Sequence, residues 1–265
     1  MASAIVRGTA FNGQVASGTM TAFAISNGAM GAQIASVAVD GQGNFIMPLG
    51  SYNGPVMLQL SGATYMDEAT KSTMTMAAGD VISAVMPMIA SGATATGVMV
   101  TPITAMAQSR ALGMTGGMTD ANIAAANTAM GNYFGVNDIL HTQPMNPTVA
   151  GAGLTASQDA RNYGMTLAAM SAYAKSLNMP TSSTLVVPMM KDATDGVMDG
   201  KNGMTQISTS MAGMGGSTMM AATAGAASLV DAMTSFMNSP ANTSGLTVAD
   251  MLALMQELLG RGGKI

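Results

Sequence analysis

The sequence predicts an α+β protein, with an N-terminal antiparallel β-sandwich over residues 1–100 followed by an all-α domain over residues 101–265. Three observations carry that expectation. Up to residue 100 the chain reads as short β-favouring runs broken by Gly- and Asn-containing turns, and beyond it as longer Ala- and Met-rich runs with capping residues. The change falls within residues 97–110, where Thr101-Pro102 has the form of a helix start. A Thr side chain accepts from the first unpaired N–H groups, and Pro at the first helical position has its φ preset and gives up no hydrogen bond. Finally, 265 residues can bury a sizeable core, and the shift in composition divides them into two domains.

The strands follow in order. Residues 4–10 and 18–25 favour β structure and are separated by Asn12-Gly13, a dipeptide suited to a tight turn, so a hairpin is expected. Residues 34–39 run into Asp40-Gly41-Gln42-Gly43-Asn44, whose two glycines permit positive φ, and 45–49 leave it as the next strand. Residues 55–61 alternate, with Val56, Leu58 and Leu60 on one face, and 81–87 and 96–100 complete the set. Short strands at this spacing argue for a sandwich.

Beyond the junction, 113–118 is a Gly- and Met-rich link, and Thr119-Asp120 caps a helix over 121–134. Asn127 lies near its apolar face and needs a partner if buried. Residues 136–156, with Pro144 and Pro147, read as an ordered loop, and helices are expected over 157–179, 182–190, 226–237 and 248–259.

Gly8, Val15, Gly18-Thr19-Met20-Thr21-Ala22, Asp40-Gly41-Gln42-Gly43-Asn44-Phe45, Leu49-Gly50 and Val56-Met57-Leu58 come in an order that resembles the carboxypeptidase-regulatory, transthyretin-like β-sandwich module. The resemblance implies a hairpin at residues 40–45 whose Phe45 enters the core, a binding or adhesive scaffold, and no catalytic residues. A broader likeness spans residues 4–203. Val100-Thr101-Pro102-Ile103-Thr104, Asn122 and Asn127, Arg161-Asn162-Tyr163, Leu167-Ala168-Ala169-Met170-Ser171 and Asp195-Gly196 with Asp199-Gly200 make the chain similar to bacterial exported lipoproteins in which such a module precedes a helical domain. Those proteins carry a lipidated N-terminal Cys, which this sequence lacks. The likeness implies a surface location and a non-enzymatic role.

Composition narrows the function. Charged residues make up 8 % of the chain, against about 25 % in ordinary domains, so the surface is weakly solvated and readily associates. A net charge of −4 with nine Lys and Arg offers no basic stripe for nucleic acid or an anionic membrane. The absence of cysteine removes disulfides, Cys-ligated zinc and thiol catalysis together. No apolar window is long enough to be a transmembrane segment. Met1-Ala2-Ser3-Ala4 has neither a basic nor an apolar leader region, so either there is no export signal or this is a mature chain with a substituted start and any lipid anchor missing; the low charge and the abundance of Ala, Gly, Ser, Thr and Asn favour the second. The 31 Met residues are spread along the chain and read as core filler, with metal or oxidant chemistry as the other reading.

Two stretches are candidate metal sites. Asp192, Asp195, Asp199 and Asn202 put hard oxygen ligands on a Gly-bent loop, as Ca²⁺ requires, but their spacing is not that of an EF-hand; the alternative is a helix end followed by Asp-Gly turns whose side chains cap nearby N–H groups. Met211, Met214, Met219 and Met220 lie in a Gly-rich tract that would suit Cu(I), or serve only as a link between helices. His141 is the chain's one histidine and no Gly-x-Ser-x-Gly elbow accompanies it, so a hydrolytic triad is not expected. The expected function is therefore that of a non-enzymatic bacterial cell-surface or periplasmic protein with structural or adhesive work and protein or surface partners. The alternatives are a self-assembling fibre or layer subunit and a Met-rich Cu(I)- or Ca²⁺-binding exported protein.

Overall fold

The computed structural model describes residues 3–209 and 219–265. The strand elements of the first hundred residues are β1 (Ala4–Ala10), β2 (Gln14–Ser26), β3 (Ala29–Ala38), β4 (Asn44–Gly50), β5 (Gly54–Met66), β6 (Thr73–Thr75), β7 (Val81–Ile89) and β8 (Thr94–Val100). Then come α1 (Pro102–Gly113), α2 (Asp120–Tyr133), a single turn α3 (Ala152–Thr155), α4 (Gln158–Ser176) and α5 (Ser183–Ala193). A small ribbon, β9 (Lys201–Asn202) with β10 (Thr205–Gln206), precedes α6 (Ala227–Met237) and α7 (Val248–Arg261). The protein is thus mixed α+β.

Apart from the β9–β10 ribbon, the described strands form two sheets. In the larger, β3, β2 and β5 pair antiparallel in that order, and β7 and β6 share the far edge of β5, opposite residues 54–61 and 64–66 respectively. In the smaller, β1 is central, antiparallel to β4 and parallel to β8. That parallel pair departs from the purely antiparallel expectation. Most of the chain between β1 and β8 builds the other sheet, so the chain leaves and returns running in the same direction, as a parallel pair requires.

Alternation explains the core. In β4, Phe45, Met47 and Leu49 are buried and the residues between them exposed. Val6, Met47 and Val98 of the small sheet meet Met20, Leu58 and Ile82 of the large one in a single apolar cluster. The opposite face of the large sheet is covered as well: Ile25, Met57 and Val85 pack against Ala111, Met118, Ile123 and Ala126 of the α1–α2 region. The sequence reading of β5 as a one-faced strand missed this second layer. A third cluster joins the helices, with Ile103, Tyr133, Phe134, Tyr163, Met165 and Phe236 among its members, and takes in Phe11 and Met99 from the strand half. Met20, Met47, Met99, Met106, Met130, Met165 and Met233 are all fully enclosed, filling places where Leu or Phe would ordinarily stand.

Three expectations shift. The Asn12-Gly13 turn forms, but β1 and β2 enter different sheets and share only the Phe11–Gln14 bridge, so the expected hairpin between them is a crossing from one sheet to the other. Gly18, the expected first residue of a strand, and Gly62, one past the expected strand 55–61, lie inside longer strands where the β2–β5 register slips, so they mark irregular pairing. The Asp40–Asn44 turn is tight, with the Asp40 N–H donating to the Asn44 carbonyl at 2.9 Å, but the strands it joins belong to different sheets. It is a crossing between sheets and not the implied hairpin, although Phe45 is buried.

The junction has the expected form. Thr101 accepts from the Thr104 N–H at 3.2 Å while Thr104 Oγ1 accepts from the Thr101 N–H at 2.8 Å, a reciprocal box that starts α1 one residue after β8 ends. Every residue from 102 to 109 is buried, so α1 lies inside the molecule.

Candidate functional site

The most concentrated chemistry lies along the seam between strands and helices. β5 is followed directly by Asp67, whose Oδ1 accepts from the Thr70 N–H at 3.0 Å and its hydroxyl at 2.8 Å, a locally closed turn. That leaves Oδ2 aimed at α4, where the Ser171 hydroxyl donates to it at 2.8 Å. Ser171 Oγ in turn accepts from the Ala69 N–H at 3.0 Å. One helical turn later, on the same face, Lys175 Nζ donates to the Ala69 carbonyl at 3.3 Å.

The seam continues on both sides. The Tyr65 hydroxyl lies 3.0 Å from Ser182 Oγ and accepts from the Ser183 N–H at 3.1 Å. Asp80 Oδ2 accepts from the hydroxyls of Ser183, at 2.8 Å, and Thr184, at 3.3 Å. Thr101 Oγ1 meets the buried Tyr163 hydroxyl at 2.7 Å, and Tyr163 donates onward to the Ile139 carbonyl at 3.0 Å. Thr104 donates to the Ser83 carbonyl, and Asn127 donates through Nδ2 to the Val85 carbonyl at 3.2 Å. Asn127 thereby finds its partner on a strand.

Glu68 is the outlier of this seam. It is 1 % exposed and its Oε1 has no hydrogen-bond partner among the described residues. Burial, reinforced by the neighbouring Asp67 charge, pushes its carboxyl up to about 8, so it is mostly neutral at pH 7. It lies against the β1–β2 turn, where a Cβ on Gly13 would stand 3.3 Å from Oε2. A neutral buried carboxyl can donate or accept a proton, but a reaction also needs room for a substrate. The enclosed cavity at the seam, lined by Asn12, Ser171 and Ser182 with Met170, Leu185 and Met189 around them, has a volume of about 10 Å³, enough for about one water molecule. Two open depressions also border the seam, one of about 370 Å³ at Ala69 and Lys175 and one of about 280 Å³ at Asp80 and Thr184.

The sequence candidates are placed as follows. Asp192, at the end of α5, is fully buried; its Oδ1 accepts from the N–H groups of Gly200 at 2.7 Å and Lys201 at 3.1 Å. Burial, chiefly, pushes its carboxyl up to about 7. Asp195 accepts from the N–H groups of Val197 and Gly203, and Asp199 from that of Lys201. Asn202 is exposed in the β9–β10 ribbon. Their oxygens close turns, and among the described residues no group of three or more His, Cys, Asp or Glu is close enough to hold a metal ion. Met211 and Met214 lie outside the described residues. Met219 is 45 % exposed, whereas Met220 is buried in the helical cluster, so these two neighbours face different surroundings.

His141 is exposed, and Asp138 holds its Nδ1 at 2.8 Å while also accepting from the His141 and Leu140 N–H groups. That is a capped loop. Sequence reasoning missed Asp67, Glu68, Tyr65, Asp80 and Ser171. The available signal was Asp67-Glu68 itself, two acids side by side in a chain with 8 % charged residues. No helix of the described residues is long and apolar enough to cross a membrane. Protein-family models give no match to the sequence, and no curated protein is significantly similar to it.

Proposed function

We propose that the protein is a non-enzymatic bacterial cell-surface or periplasmic protein with a structural or adhesive role, in which a transthyretin-like β-sandwich over residues 1–100 is held rigidly on a helical domain over residues 101–265. The observation that supports this reading most is the seam. Asp67 and Asp80 accept from hydroxyls of α4 and α5, so the strand half's acids there are used to join it to helices. A nearly charge-free exterior fits the same role, because it meets a surface partner with little desolvation of charge.

Location and adhesion are tested separately. All five lysines are exposed, so a membrane-impermeant amine reagent added to intact cells of the source bacterium should label the protein. Labelling only after lysis would place it inside and end the surface reading. Loss of cell attachment on gene deletion, restored by the full chain, is the expected adhesive phenotype.

A second reading, assembly of copies into a fibre or layer, draws support from β3. That strand pairs on one side only, with β2, and carries no charged residue and no proline, the usual guards of an open edge. Two register shifts along its pairing with β2 bend that edge and weaken it as a template. Light scattering at rising concentration separates the readings, since a monomer throughout removes the second.

A further inference from the structure

At one end of the sheets lies an open groove of about 480 Å³ lined by Thr9, Gln14, Gly41, Gln42, Asn44 and Gln143. No charged and no large apolar side chain lines it. Three of the chain's nine glutamines meet here from segments distant in sequence: the start of β2, the crossing between sheets, and the loop after α2.

Their backbones are fixed while their side-chain heads are not. Asp40 Oδ1 accepts from the N–H groups of Gln42, at 2.9 Å, and Asn44, at 2.8 Å, and the Ala10 N–H donates to the Gly43 carbonyl, pinning this turn to β1. Gln14 bridges to Phe11 across the β1–β2 turn. The loop carrying Gln143 is capped by Asp138 and tied to β8 by the Met99 N–H donating to the Leu140 carbonyl at 2.8 Å. Asn44 is itself held, accepting from Thr9 Oγ1 at 2.9 Å and donating to Asp40 Oδ2 at 3.2 Å. Among the described residues the Gln42 and Gln143 side chains have no hydrogen-bond partner, and Gln14 has one long contact, 3.5 Å to the Val15 carbonyl.

A rigid frame presenting free primary amides offers donors and acceptors side by side without charge. Sugar hydroxyls, which donate and accept at adjacent ring positions, match that set. An anionic ligand would meet no cation in the groove and the Asp40 carboxylate behind it. A peptide would find no apolar pocket for its side chains, which is where peptide specificity ordinarily resides. We propose that this groove binds a neutral polysaccharide through the carboxamides of Gln14, Gln42 and Gln143. The proposal rests on the adhesive reading and names the ligand for it.

The test is affinity electrophoresis and calorimetry of the full chain with dextran, amylose, mannan, galactan and cello-oligosaccharides, beside alginate as an anionic polysaccharide and gelatin as a peptide probe. At least one neutral glycan should bind, with an affinity unchanged between 50 and 500 mM salt. Gln42→Ala and Gln143→Ala should each weaken it about three- to tenfold, and the triple variant with Gln14→Ala should lose it, whereas Gln256→Ala, on the exposed face of α7, should not. No binding to any neutral glycan, binding untouched by the triple variant, or preference for alginate or gelatin overturns the proposal. Cell attachment scored in parallel keeps the two readings apart: attachment that survives the triple variant leaves the adhesive role standing without this ligand.

Discussion

Two regions of the molecule bury acidic side chains, and they use them in opposite ways. At the seam, Asp67 joins residues 104 positions apart in the chain, holding Ser171 of α4 against the end of β5. At the end of α5 and in the loop after it, the buried Asp192, the exposed Asp195 and the half-buried Asp199 accept only from backbone N–H groups within nine positions of themselves. The first arrangement positions one half of the protein on the other; the second shapes a single loop. The same side chain is thus a long-range fastener or a local turn former, depending on whether packing brings a donor to its second oxygen: Ser171 reaches Asp67 Oδ2, whereas Asp192 Oδ2 is buried without a hydrogen-bond partner among the described residues.

The largest effect should come from breaking the seam. Asp67→Ala leaves Ser171 and Thr70 without their acceptor and should cost about 3 kcal/mol in urea unfolding, with new proteolytic cleavage within residues 67–72. A loss under about 1 kcal/mol would reduce the fastener to an ordinary surface contact.

pH should sharpen the contrast next. Glu68 is raised from an ordinary 4.5 to about 8, and Asp192 from 3.8 to about 7. In both cases the folded state holds the proton more tightly, so their stabilisation is complete below the unfolded values and is lost as pH rises through the folded ones. The melting temperature should therefore fall between pH 5 and pH 8. Glu68→Gln should flatten the decline above pH 7 and leave the part that Asp192 contributes below it; an unchanged slope above pH 7 would refute the assignment.

Thr101→Ala should cost about 2 kcal/mol, because it removes a helix cap and one partner of the buried Tyr163 hydroxyl together. Thr101→Ser should recover most of it. At the loop, Asp195→Ala should cost only about 1 kcal/mol, since its N–H partners turn to water. The smallest effect expected is that of Ca²⁺: among the described residues no three acids converge closely enough to hold a cation, so millimolar Ca²⁺ should leave the melting temperature within about 1 °C. A larger upward shift, abolished by Asp195→Ala, would revive a cation site there.

Local chemistry was readable from the residues: the Thr101-Pro102 helix start, the Asn12-Gly13 turn and the Asp40–Asn44 turn depend on neighbours in sequence. Partners across the fold were not. Nothing near Asp67 announces Ser171, and nothing near Asn127 announces the Val85 carbonyl, because each pair is brought together only by packing. The irregular pairings at Gly18 and Gly62 show a different limit: a glycine that permits unusual φ signals a turn and a bulge alike. The glutamine groove was invisible for both reasons, as its three amides share no motif and sit on unremarkable turns.

The parallel pairing of β1 with β8 sets an order of assembly. β1 emerges first from the ribosome, yet the strand that covers one of its edges ends at residue 100, so that edge stays open while the whole large sheet is being made. β4 can shield only the other edge in the meantime. When β8 does arrive, Thr101 and α1 follow without a spacer, so closing the small sheet also delivers the first helix to its buried position. The two halves are separate in composition but joined where β8 passes into α1.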